Sequence, residues 1–81
     1  MERTIIVGTV FDAIHESLGI DKSTITETTS QAELGIDSIL MVDLMLTLED
    51  RLEFSFKSLD LPKNPTIGDI VSMIEKEMRD Q

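Results

Sequence analysis

The chain has 81 residues, 41% of them apolar, with no Cys, Trp or Tyr and only three Phe, so it is expected to be one small domain, 1–81, with an aliphatic core. Its 16 acidic and 7 basic residues give a formal net charge of −9, which argues against nucleic-acid binding; the missing Cys excludes a disulfide framework or thiolate metal site. No run approaches the roughly 18 apolar residues of a membrane span, and Met1-Glu2-Arg3-Thr4 does not open a secretory segment, so a cytoplasmic monomer is expected.

The first predicted helix covers Thr4 to Leu18, where Val7, Val10, Phe11, Ile14 and Leu18 recur at helical spacing. Gly8 weakens it by about 1 kcal/mol relative to Ala, and Gly19 is a natural stop. A long connection, Ile20 to Ile36, follows. Connections above about 12–15 residues are usually functional, and Ile20, Ile25, Leu34 and Ile36 supply anchors for this one. Within it, Ser30-Gln31-Ala32-Glu33 has capping-box spacing and predicts one short helical turn ended by Gly35.

The second main helix is predicted from Ser38 to Leu52, with Asp37 as N-cap and Arg51 complementing the negative end of the dipole. Glu53-Phe54-Ser55-Phe56-Lys57 alternates like a strand but has no partner run. It reads as an extended loop with Phe54 and Phe56 as buried plugs. A short turn is expected over Ser58–Leu61, stopped by Pro62. Thr66-Ile67-Gly68-Asp69 caps the last helix, whose inward stripe is Ile67, Ile70, Val71, Ile74 and Met78, running to about Arg79. The fold class is all-α: a small four-helix bundle of three longer helices and one short third helix.

The second helix carries more apolar surface than a core stripe needs. Met41, Leu44, Met45, Leu48 and Leu52 form one stripe, yet Ile39, Leu40, Val42 and Leu46 fall outside it. Ile39, Val42, Asp43, Leu46 and Asp50 share a second face, an apolar patch rimmed by acids. The readings open for it are a partner-docking face and, against that, burial of the helix on all sides or self-association.

Ser38 stands where the long connection meets this helix. The free N–H groups and the positive dipole end at a helix start favour an anion there, which suits a serine that carries a phosphate ester. A serine hydrolase is a poor fit. The chain has no Gly-x-Ser-x-Gly elbow, and its one His, His15, is far off in sequence. Asp37, Asp43 and Asp50 lack calcium-loop spacing, so no metal site is expected.

The segment Leu34-Gly35-Ile36-Asp37-Ser38-Ile39 resembles the prosthetic-group motif of acyl carrier proteins, Leu-Gly-x-Asp-Ser-Leu/Ile. The resemblance extends over the helix order and the long first connection. It implies that Ser38 carries 4′-phosphopantetheine, derived from coenzyme A, with Asp37 as its acidic neighbour. It also implies a recognition helix docking partners through Ile39, Val42, Asp43, Leu46, Glu49 and Asp50, and a cleft for which Leu44, Leu48, Phe56, Leu59, Leu61 and Ile67 are candidates, ordinary core being the other reading for each. The implied partners are a phosphopantetheinyl transferase and the acyl- or aminoacyl-loading, condensing and modifying enzymes of fatty acid, polyketide or nonribosomal peptide biosynthesis. The protein would itself be a carrier and no enzyme. The chain departs from the family pattern at Leu40, where fatty-acid carriers often have an acid, at Asn64, where an apolar residue is common, and at Pro62 and Pro65. Leu40 looks more like the carriers of polyketide or peptide synthesis, or a specialised lipid carrier. An unmodified carrier-like interaction module is the alternative.

Overall fold

The computed structural model describes residues 2–57 and 61–79. Its helices are α1 (Arg3–Leu18), α2 (Gln31–Leu34), α3 (Ser38–Leu52) and α4 (Ile67–Arg79), with a 3-10 turn at Lys22–Thr24 that the sequence pattern did not predict. That turn has a local cause: the Asp21 carboxylate accepts both the backbone N–H and the hydroxyl of Ser23, each at 2.9 Å. The short turn expected over Ser58–Leu61 lies at residues 58–60, outside the described residues. No described helix is long and apolar enough to cross a membrane.

Helix ends follow their capping chemistry. α1 and α2 both stop at a glycine in the left-handed region, Gly19 and Gly35. Ser30 and Glu33 form the reciprocal capping box of α2. Thr66 and Asp69 do the same for α4, with Asp69 N–H to the Thr66 hydroxyl at 3.1 Å and Thr66 N–H to the Asp69 carboxylate at 3.0 Å.

α1 packs against both α3 and α4. Its buried residues are Ile6, Val10, Ala13 and Ile14, while Val7, Phe11 and Leu18 pack at the margin. The core line is therefore rotated slightly from the predicted stripe, because a central helix faces two neighbours rather than one. α4 buries Ile67, Ile70, Val71 and Ile74, with Met78 partly covered. Each such aliphatic side chain contributes about 1.5–3 kcal/mol on leaving water. α3 buries the predicted stripe of Met41, Leu44, Met45, Leu48 and Leu52.

The long connection is held by backbone pairing to the start of α4. Gly68 N–H donates to Glu27 O at 2.8 Å, Ile67 N–H to Thr29 O at 2.9 Å, and Gln31 N–H to Pro65 O at 2.8 Å. Arg3 adds a bridge from α1, reaching Glu27 at 2.6 Å and also Glu75 on α4. Ile25 and Ile36 are buried, and Ile20 and Leu34 pack against the core. The predicted anchors thus do pin the loop, and it delivers the chain to Ser38 in a defined place.

After α3, Phe54 is buried and Phe56 half-buried, their rings edge to face at 4.6 Å between centroids. One plug is thus fully seated and the other only partly.

Candidate functional site

Ser38 is the first residue of α3. Asp37 caps the helix, its carboxylate accepting Leu40 N–H at 2.8 Å, while Met41 N–H bonds the Asp37 carbonyl at 2.9 Å. The amides of Ser38 and Ile39 lie in the first turn, which has no intrahelical acceptors for them. The Ser38 side chain is exposed, and its hydroxyl has no hydrogen-bond partner among the described residues. It is therefore free to take a substituent.

Beside it lies an open cleft of about 190 Å³ lined by Gln31, Ser38, Met41, Val42, Met45 and Leu61. Ser38, Met41, Val42 and Met45 stand at positions i, i+3, i+4 and i+7 of one helix, so a single face of α3 runs from the hydroxyl into an apolar hollow. Of the candidate cleft residues that the structure describes, Leu61 alone lines this hollow. Leu44, Leu48 and Ile67 are core, Phe56 is half-buried in the post-α3 loop, and Leu59 lies outside the described residues. Met41 and Met45 belong to the predicted core stripe, and their spacing from Ser38 puts all three on one face. Gln31 carried no sequence signal, because its place depends on the folded connection.

The surface of α3 turned away from the core is open to solvent, and Val42 belongs both to it and to the rim of the cleft. Ile39 is 74% exposed, Leu46 57%, Val42 46% and Leu40 38%. This removes the reading in which the helix is buried all round. Asp43 and Asp50 are exposed beside them and form no ion pair among the described residues. Glu49 is different. Its carboxylate accepts Phe56 N–H at 2.8 Å and its carbonyl accepts Phe54 N–H at 3.1 Å. It holds the loop after α3 and is only half exposed. Leu40 also borders a second hollow of about 470 Å³ between α1 and α3, with Leu18, Asp43, Leu44 and Leu46.

His15 offers Ser38 no help as a base. Its Nδ1 is 2.9 Å from the Ile20 carbonyl, where it fastens the corner after α1. Asn64, at a position that the family often fills with an apolar residue, accepts Ala32 N–H at 3.1 Å. That bond completes the first turn of α2, whose other free amides go to Pro65 O and Ser30 Oγ.

The phosphopantetheine attachment site family matches residues 9–74. An acyl carrier protein of Thermotoga maritima is 40% identical over 77 residues, 94% of this chain and 95% of that protein. One from an Exiguobacterium species is 34% identical over 79 residues, 96% of this chain and all of that protein. A non-reducing polyketide synthase of Aspergillus terreus is 31% identical over 65 residues, 80% of this chain but 3% of its own length. The chain belongs to the acyl carrier protein family, non-catalytic carriers with a covalently attached phosphopantetheine group.

Proposed function

We propose that Ser38 is the attachment residue and that the exposed face of α3 docks the enzymes that use the carrier. The observation that carries this reading is the placement at the start of α3, next to an apolar cleft, of an exposed hydroxyl that has no hydrogen-bond partner among the described residues. In the attachment step the Ser38 oxygen forms the new bond to phosphorus. The phosphorus–oxygen bond to the rest of coenzyme A breaks, and the hydroxyl proton passes to a base of the transferase. His15, the chain's one histidine, is engaged with the Ile20 carbonyl and supplies no base here. The chain's part is to present the oxygen, and the first-turn amides of α3 favour the resulting phosphodiester. When bound, the group supplies the thiol that a chain without Cys lacks.

Cargo of the acyl, aminoacyl or polyketide type would travel as a thioester, and tethering raises its local concentration at each docked enzyme. Ile39, Val42 and Leu46 form the apolar centre of the docking face, with Asp43 and Asp50 as anionic contacts for basic partners. Glu49 contributes by holding the adjacent loop as well as by its charge. The proposed role is cytoplasmic and monomeric, with coenzyme A as the source of the arm, and the protein acts on no substrate itself. The reading as an unmodified interaction module is not favoured, because the matched family is that of the attachment site. Coexpression with a broad-specificity transferase, followed by intact mass, tests the proposal. A gain of one phosphopantetheine that Ser38→Ala abolishes supports it; no gain, or one that survives the substitution, refutes it.

A further inference from the structure

The backbone just before Ser38 is gripped from both sides by one residue. Ile36 N–H donates to the Gln31 carbonyl at 3.3 Å, and Gln31 Nε2 donates to the Ile36 carbonyl at 2.8 Å. Because that acceptor is a carbonyl, the amide must turn its NH2 end toward it. Gln31 is itself anchored, its N–H donating to Pro65 O at 2.8 Å. Ile36 is buried, Asp37 caps α3, and Ser38 follows. A continuous series of bonds therefore runs from the segment ahead of α4, through Gln31 and Ile36, to the turn that presents the hydroxyl. Gln31 also borders the cleft beside Ser38 and, with Ile36, Lys63 and Asn64, the hollow on the other side of α2.

We propose that Gln31 is a positioning residue for Ser38: its side-chain amide fixes the Ile36–Asp37 backbone from which the hydroxyl meets the incoming phosphorus. The proposal rests on Ser38 being the attachment residue. Its physical basis is that a misplacement of about 1 Å at a reacting atom costs on the order of 100-fold in rate. The Ile36 carbonyl also loses this partner if the donor is removed. Gln31 is not one of the proposed docking residues, although it shares the cleft rim with Ser38 and Val42, so KM is the readout that shows whether docking is left intact.

The test compares the full chain, Gln31→Met and Gln31→Glu, each in the apo form. Met keeps the length and removes the donor. Glu keeps the shape but offers only acceptors to a carbonyl at neutral pH. Transfer kinetics with a broad-specificity transferase and coenzyme A are read beside amide hydrogen exchange. The expected result is a fall in kcat of roughly tenfold for Met and more for Glu, with KM within about twofold of wild type. Exchange should quicken at Ile36, Leu40 and Met41, whose amides are bonded to Gln31 and Asp37, while the cores of α1 and α4 stay protected. Unchanged kcat in both variants would overturn the proposal. So would a change in KM alone, or exchange that quickens equally across α1 and α4. If the wild-type chain accepts no phosphopantetheine, the reading of Ser38 fails, and the local exchange pattern alone decides whether Gln31 holds this turn.

Discussion

Asn64 and Ala32 are 32 positions apart in sequence, yet the Asn64 side-chain oxygen accepts the Ala32 N–H at 3.1 Å. The contact gives physical meaning to a departure from the family pattern. A polar residue stands there because a four-residue helix has free amides that its own turns cannot satisfy. It also ties α2 to the segment leading into α4, next to the Gln31–Pro65 bond.

Asn64→Ala should therefore lower stability by about 1 kcal/mol, the usual worth of a helix-capping side chain. Asn64→Leu, which installs the apolar character common in the family, should cost a similar amount here. Urea unfolding of the three proteins checks this, and equal midpoints would show that Asn64 is not a cap.

The two glycines within helices predict different outcomes. Gly8 in α1 has open space where a Cβ would lie, so Gly8→Ala should stabilise by about 1 kcal/mol. At Gly68 in α4 a Cβ would stand 3.1 Å from the Glu27 carbonyl oxygen, the same oxygen that accepts Gly68 N–H at 2.8 Å. Gly68→Ala should lose most of that propensity gain by pushing the connection away. Thermal midpoints would separate the two, Gly8→Ala rising by about 4–8 °C.

How much of this was legible in advance depended on range. Ser30 with Glu33, and Thr66 with Asp69, lie three residues apart, and their spacing alone revealed both capping boxes. The surplus apolar positions of α3 were legible for the same reason, since one helix fixes their relative directions. The contacts that seat the site were not. Glu27–Gly68 and Thr29–Ile67 pair through backbone atoms, which leave no mark on side-chain type. Gln31 and Asn64 look like ordinary polar residues until the connection folds back on the start of α4. Glu49 read as one more acid of the docking rim, but Phe56 N–H, seven residues on, claims its carboxylate.

The two faces of α3 should respond differently to substitution. Leu46 is 57% exposed, so Leu46→Arg should leave the helical circular dichroism intact while lowering kcat/KM with partner enzymes about tenfold or more. Leu48, two residues on, is fully buried, and Leu48→Ala should cost about 2–5 kcal/mol. Unfolding by Leu46→Arg would make that residue core and remove it from the docking face.

Acid should weaken the first connection. The two hydrogen bonds from Ser23 hold the Asp21 carboxyl below its ordinary pKa, and the hydrogen bond from Lys22, at 2.7 Å, does the same for Asp12. A depressed carboxyl stabilises the fold above its unfolded pKa, about 3.9, and that contribution is lost as pH falls through the lower folded value. Asp21→Asn should thus be less stable than wild type at pH 7, and the gap should narrow below about pH 4. A gap independent of pH would show that the Asp21 charge plays no part in holding the turn.

The central claim is that Ser38 is where the chain is modified, and fragment mass spectrometry of the holo protein tests it most directly. Wild-type protein treated with transferase and coenzyme A should gain a single phosphopantetheine, with every fragment that retains the group containing Ser38. A group found on Ser30, Ser55 or any other hydroxyl, or a wild-type chain that stays unmodified beside a modified control carrier, would contradict the account.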